Sequence, residues 1–140
     1  MPEIPIGTKG HIDLLVTSEV AIDFMGLEGT RVLSTPHLVW HLEMAARNAV
    51  KPLLGKDFDS VGTEIHVRHL AATPLGMHVR FDAEVTAVDN RRVLFRITAR
   101  DEKELVAEGA HERFVVNIER FAAKVQTKSS SMPPETAPQG

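Results

Sequence analysis

The sequence predicts an α+β fold in which an antiparallel β-sheet wraps around one long helix. Two observations support this prediction. The stretch that begins at Thr35 repeats apolar residues with the period of a helix, and most of the second half alternates apolar and polar residues with the period of a strand. At 140 residues the chain has room for one domain with a sizeable core, and we expect that domain to cover residues 1–125.

A weak strand candidate, His11–Thr17, precedes the helix, which we expect to run from Thr35 to the neighbourhood of Gly55. Thr35 is an acceptable N-cap, and Pro36 suits the first helical position, where no backbone N–H is required. One side of the helix collects apolar residues, namely Leu38, Leu42, Ala45, Ala46, Ala49, Val50 and Leu53. Because many of them are small, we expect the helix to press closely onto the sheet.

The strands predicted after the helix are long. From Met77 to Ala87 apolar residues hold the odd positions, Asp89-Asn90 offers a tight turn, and the alternation resumes from Val93 to Ala99. Further strands are predicted at Thr63–Ala71 and from Leu105 to about Ile118. A sheet of this size has open edges, so we expect a homodimer or a higher homo-oligomer that covers one of them.

The end of the chain differs from the rest in composition. Residues 126–140 are rich in Ser and Pro and nearly lack large apolar groups, which predicts a disordered tail. No run of apolar residues approaches the roughly 18 that a membrane span needs. The first fifteen residues lack the basic-then-apolar design of a signal peptide, so we expect a cytoplasmic protein.

Composition excludes several kinds of chemistry. The chain has no cysteine, which removes disulfides, thiolate zinc sites and a cysteine nucleophile. A net charge of −3 argues against binding to nucleic acid, which requires a basic surface. The one dense basic stretch contains Arg91, Arg92, Arg96 and Arg100, and it fits either a solvated hairpin face or a contact with a phosphorylated ligand.

Glu43 lies at the border of the apolar side of the helix. It is either an ordinary surface carboxylate or a partly buried base or nucleophile. Thr35 precedes it by eight residues, which places the two roughly 80° apart around the helix. Capping alone would explain Thr35, but a hydroxyl at a helix N-terminus also lies beside unpaired N–H groups that stabilise an oxyanion.

Four further polar residues carry open alternatives. His69 shares the apolar phase of its predicted strand with Ile65 and Val67, as either a hydrogen-bonded core histidine or a proton carrier. Arg113 belongs to a strand of ambiguous parity and is either a surface charge or a pocket residue. His37 and His41 have the i,i+4 spacing of two zinc ligands, but we expect both to lie opposite the apolar side. Because no third ligand is indicated and an HExxH motif is absent, we expect no metal.

Four stretches together resemble the fluoroacetyl-CoA thioesterase branch of the hotdog-fold thioesterases. They are "STPHLVWHLE", "VGTEIHVRHLAATPLG", "GAHERF" and "IERFAAKV", and the resemblance covers roughly residues 7–125. It implies a curved antiparallel sheet around a long central helix, a dimer, and hydrolysis of acyl-CoA thioesters without a metal or another cofactor.

The resemblance also implies roles for five residues of this chain. The family's catalytic Thr and Glu match Thr35 and Glu43, and its catalytic His matches His69. Its active-site Gly and substrate-pocket Arg match Gly62 and Arg113, which are the implied substrate-binding residues.

One part of the chain departs from the family pattern. The fluoroacetate-selective member has an aromatic lid before the helix, whereas "MGLEGTRVLS" contains two glycines and no aromatic residue follows Phe24 there. Fluoroacetyl selectivity is therefore not predicted. The sequence also does not assign CoA's phosphates to any one of Arg91, Arg92 and Lys124.

The sequence thus predicts an acyl-CoA thioesterase whose substrate is a thioester of CoA. Two alternatives stay open: a non-catalytic acyl-CoA-binding or regulatory hotdog protein, and a hotdog hydratase acting on enoyl-CoA. The first has no need for Thr35, Glu43 and His69 together, and the second normally uses an Asp/His pair in a motif that this chain lacks.

Overall fold

A computed structural model describes residues 1–23 and 25–133. Its elements, in chain order, are β1 (Lys9–Leu15), β2 (Ala21–Ile22), β3 (Val32–Leu33), α1 (Thr35–Leu54), β4 (Phe58–His69), β5 (His78–Asp89), β6 (Arg92–Asp101), β7 (Leu105–Asn117) and α2 (Ile118–Ser130). Five strands form one antiparallel sheet in the order β1-β5-β6-β7-β4, and β2 pairs with β3. The predicted α+β arrangement is confirmed, with α1 packed against the sheet.

The strands follow the predicted alternation where it was clearest. The inner face of β5 and β6 is buried and consists of Val79, Phe81, Ala83, Val85, Val93, Phe95, Ile97 and Ala99. Asn90 takes the left-handed conformation, with φ of 57°, at the hairpin turn between the two strands. The other differences are in length: β4 begins at Phe58, five residues before the predicted start, and β1 ends at Leu15.

Helix α1 buries most of the predicted apolar side, with one exception. Leu53 is 40% exposed, and Leu54 is buried in its place. The physical reason is that Leu38, Leu42, Ala46, Val50 and Leu54 form a continuous i,i+4 row. Such a row turns slowly around a helix, so the buried face at the C-terminal end has moved past Leu53.

The predicted start of the tail needs correction. Helix α2 continues through Ser130, so residues 126–130 are helical where disorder was expected. Asn117 caps this helix by accepting a hydrogen bond from the backbone N–H of Arg120, at 3.0 Å. Disorder was expected because these residues lack large apolar groups. A helix with a capped N-terminus does not require buried residues, and α2 buries none. Residues 134–140 lie outside the described part of the chain.

No helix within the described part combines the length and the hydropathy needed to cross a membrane.

Candidate active site

The N-terminus of α1 is capped by Ser34 and not, as predicted, by Thr35. The Ser34 Oγ accepts a hydrogen bond from the backbone N–H of His37 at 3.3 Å. Because Ser34 takes the capping position, the hydroxyl of Thr35 is available for another partner. It lies 2.8 Å from the Nδ1 of His69, at the end of β4. The structure therefore brings two of the three predicted catalytic residues into direct contact.

His69 is half-buried, and its environment favours the neutral ring. Burial lowers its pKa below the ordinary value of 6.5, and a weaker interaction with the backbone of Ala71 opposes that shift. Its Nε2 is buried and has no hydrogen-bond partner in the described part of the chain. A neutral imidazole with one engaged nitrogen and one unengaged nitrogen has the chemistry of a proton carrier.

Glu43 packs its carboxylate closely against Gly62. A Cβ atom placed on Gly62 would lie 2.8 Å from the Oε1 of Glu43, which is closer than real Cβ contacts allow. It would also lie 3.3 Å from the Cε1 of His111. Glu43 is half-buried. The missing side chain of Gly62 thus leaves the space that the carboxylate of Glu43 uses.

A β-bulge at Thr63 explains how Gly62 comes to face the helix. Gly62 pairs with Arg113 and Glu64 pairs with Glu112, so Thr63 is an extra residue in β4. Strict alternation along β4 would put Gly62 on the face opposite to His69, because seven residues separate them. The extra residue shifts the alternation by one position, so Gly62 and His69 both face α1. The bulge could not be predicted from the sequence, since nothing in the pattern "VGTEIHV" marks it.

Arg113 is buried, so its interpretation as a mere surface charge is wrong. It is 4% exposed, and Val115 and His111 are buried on the same face of β7. Its Nε donates to the Oγ of Ser60 at 2.7 Å, and its Nη2 donates to the backbone carbonyl of Ser60 at 2.7 Å. Its Nη1 donates to the backbone carbonyl of Glu43 at 3.4 Å. Burial lowers the pKa of Arg113, and the nearby carboxylate of Glu43 opposes that shift.

The five predicted site residues form two groups that one chain does not bring together. Thr35 and His69 form the first group, and Glu43, Gly62 and Arg113 form the second. Eight residues of helix separate Thr35 from Glu43, which is about 12 Å along the axis of α1. Seven residues of strand separate Gly62 from His69, which is about 20 Å along β4.

The two histidines on α1 have different surroundings. His41 was expected to face away from the apolar side, but its ring stacks on Phe81 with 5.2 Å between centroids. Its Nδ1 donates to the backbone carbonyl of His37. The residue fits there because the flat face of an imidazole packs well on an aromatic ring. Across residues 1–23 and 25–133, no three His, Asp or Glu side chains are grouped as a metal ion requires.

Two of the hairpin arginines are engaged in surface ion pairs. Arg92 lies 3.6 Å from Asp89 and 3.3 Å from Glu112, and Arg96 lies 3.1 Å from Glu84. All of these pairs include an exposed arginine, so each contributes little to stability. This pairing favours the solvated hairpin face over a phosphate contact for Arg92 and Arg96.

Comparison with known proteins places this geometry in context. The family model for FlK, the fluoroacetyl-CoA-specific thioesterase, matches residues 16–119. The fluoroacetyl-CoA thioesterase of Streptantibioticus cattleyicolor is 39% identical over 102 residues, which is 73% of this chain and 73% of that protein. The range matched by the family model includes all five predicted site residues.

Solved structures show the same fold. A variant of the fluoroacetyl-CoA thioesterase FlK in complex with acetyl-CoA superposes with a TM-score of 0.80 at 32% identity, covering 89% of this chain and 98% of that one. A thioesterase superfamily member from Thermus thermophilus superposes with a TM-score of 0.80 at 26% identity, covering 94% and 100%. The hotdog fold expected from the sequence is confirmed.

Proposed function

The chain belongs to the fluoroacetyl-CoA-specific thioesterase family and is a thioester hydrolase, and we therefore propose that it hydrolyses acyl-CoA with Thr35, Glu43 and His69. The observation that carries the site assignment is the hydrogen bond of 2.8 Å between Thr35 and His69. It links the start of the central helix to a histidine whose second nitrogen is unengaged.

The chemistry assigns one task to each residue. Glu43 attacks the thioester carbonyl or activates the water that attacks it, so that a C–O bond forms and the C–S bond breaks. His69 carries a proton, which the departing thiolate of CoA finally takes. Thr35 orients His69 and the reacting groups. Backbone N–H groups at the start of α1 stabilise the negative charge on the carbonyl oxygen.

Gly62 and Arg113 complete the proposed pocket in different ways. Gly62 lies beside the carboxylate of Glu43, and its proposed role is to form part of the substrate-binding surface. Arg113 is 4% exposed in the single chain, so it supports the pocket mainly by tying Glu43 to Ser60. Its positive charge also faces the carboxylate of Glu43.

Substituting alanine at two glycines tests the role of Gly62. Gly62→Ala places a Cβ against the flexible end of Glu43, so we expect an intact fold and a loss of about 10- to 100-fold in kcat. Gly10→Ala is the control for a general packing defect, because its Cβ would meet the backbone of Ala45 and Ala49. We expect the control to lose about 1–3 kcal/mol of unfolding free energy in urea. An unchanged kcat in Gly62→Ala would contradict the packing of Glu43 against this position.

We propose a homodimer through β4, which is an edge strand of the sheet. In an antiparallel pair of β4 strands centred between residues 65 and 66, Gly62 of one copy lies opposite the partner's His69. Such a pairing brings the partner's Thr35 and His69 toward Glu43 and Gly62, which one chain holds about 12 Å apart along α1. The two groups would then form one reaction centre at each end of the paired edge.

We propose the cytoplasm as the location of the protein.

Acyl preference is tested with a panel of acyl-CoAs. The purified protein is incubated with acetyl-, fluoroacetyl-, branched and aromatic acyl-CoAs while free thiol is measured. We expect sustained release of CoA from at least one substrate and no sharp preference for fluoroacetyl, because the aromatic lid is missing from the sequence after Phe24. Phe24 itself lies outside the described residues. Saturable binding without release across the panel would favour a non-catalytic acyl-CoA-binding protein.

A further inference from the structure

His111 is a buried histidine that has no role in the proposed mechanism. It is 2% exposed, and it packs on Phe95 with 6.0 Å between ring centroids. Its Nδ1 lies 2.8 Å from the backbone carbonyl of Glu64, the residue that follows the bulge in β4. A carbonyl only accepts hydrogen bonds, so the Nδ1 carries the proton.

The other ring nitrogen completes the assignment. The Nε2 of His111 lies 3.2 Å from the Nη1 of Arg113. Because a guanidinium nitrogen only donates, the Nε2 must accept and cannot carry a proton. Both neighbours thus require the same neutral tautomer. A protonated ring would lose the bond to Arg113 and place two cations side by side.

Arg113 connects this histidine to the proposed catalytic carboxylate. The guanidinium is held by Ser60 on one side and by His111 on the other, and it reaches the backbone carbonyl of Glu43. Within the described part of the chain no carboxylate lies within 4 Å of it. The orientation of the guanidinium therefore depends on neutral acceptors, among which His111 is the one that is also bonded to Glu64, next to the bulge.

We propose that His111 is a positioning residue: anchored by its Nδ1–H to Glu64 beside the Thr63 bulge, the neutral ring holds Arg113, and Arg113 in turn holds Glu43 facing Gly62. This proposal rests on the proposed function, in which Glu43 performs the chemistry. Two observations support it. Burial, together with the positive charge of Arg113, lowers the pKa of His111. The Cε1 of His111 also contacts the site where Gly62 lacks a side chain.

Two amide variants separate the two hydrogen bonds of the ring. The amide nitrogen of Asn occupies the place of Nδ1 and keeps the bond to Glu64, whereas the amide oxygen of Gln occupies the place of Nε2 and keeps the bond to Arg113. We expect His111→Asn to lose about 10- to 100-fold in kcat and His111→Gln less than about fivefold, with KM little changed in both. His11→Asn, at an exposed position of β1 on the opposite edge of the sheet, is the matched control.

Unfolding free energies of both variants are measured alongside. Similar destabilisation of the two, with kcat lost only in His111→Asn, supports the positioning role. Equal kcat losses in the two variants, or a wild-type kcat in His111→Asn, would overturn it.

A second measurement does not depend on enzymatic activity. Nitrogen NMR of the wild-type histidines reports which ring nitrogen of His111 carries the proton. We expect Nδ1 to be protonated and Nε2 to be unprotonated at neutral pH, and a protonated Nε2 would overturn the proposal. If the wild-type protein released no CoA from any acyl-CoA, the proposed function would fail, whereas the tautomer would still decide whether this network exists.

Discussion

Glu43→Gln is expected to lower kcat for acyl-CoA hydrolysis by about 10²- to 10⁴-fold. The amide has nearly the shape of the carboxylate and can occupy the same space beside Gly62, so the fold should be unchanged. It can neither attack a thioester nor accept a proton from water. The measurement is steady-state release of free CoA at saturating substrate.

A control variant separates this effect from a general change of charge. Glu108→Gln removes an exposed carboxylate on the outer face of β7 and should keep wild-type kcat. Activity of Glu43→Gln within a factor of a few of the wild type would remove Glu43 from the chemistry. The residue would then be explained by its place at the rim of the buried side of α1.

His69→Asn is expected to lower kcat by about 10²- to 10³-fold, because it removes the unengaged Nε2. The amide of Asn occupies the place of Nδ1, so the contact with Thr35 is kept. His11→Asn, at an exposed position of β1 on the opposite edge of the sheet, should have little effect. If His69→Asn retains wild-type kcat, His69 is a core histidine that serves only to bond Thr35.

The pH dependence of the wild type provides an independent check of His69. Burial lowers its pKa below 6.5, so the neutral ring persists to more acidic pH than in an unfolded chain. We therefore expect kcat/KM to be level just above pH 6.5 and to fall only below it, as the ring becomes protonated. His69→Asn should lose that part of the acidic limb. A midpoint well above 6.5 would contradict the neutral, buried ring.

Much of the fold could be predicted because its signals are local. The alternation along β5 and β6 and the turn at Asn90 each depend on neighbouring residues alone. The burial of α1 was predicted for the same reason, and the prediction was wrong at Leu53, because the i,i+4 row of buried side chains has turned past this position. Local periodicity carries no information on how two elements cross.

The site depends on features that local periodicity does not contain. Whether Ser34 or Thr35 caps α1 differs by one residue, yet it decides whether the hydroxyl of Thr35 can reach His69. The bulge at Thr63 moves Gly62 to the same face of β4 as His69, and it is visible only in the pairing of β4 with β7. The burial of Arg113 follows from that pairing too, which is why the ambiguous parity of β7 could not be resolved beforehand.

Complementation between two inactive variants tests whether Glu43 and His69 of two chains act together in acyl-CoA hydrolysis. Chains that carry Glu43→Gln and chains that carry His69→Asn are co-expressed with different tags, and CoA release is compared with that of each variant alone. If the reaction centre joins Glu43 of one chain with the partner's His69, each mixed dimer contains one intact centre. A random mixture should then recover about a quarter of wild-type activity. No recovery in an isolated mixed dimer would contradict a centre shared between two chains.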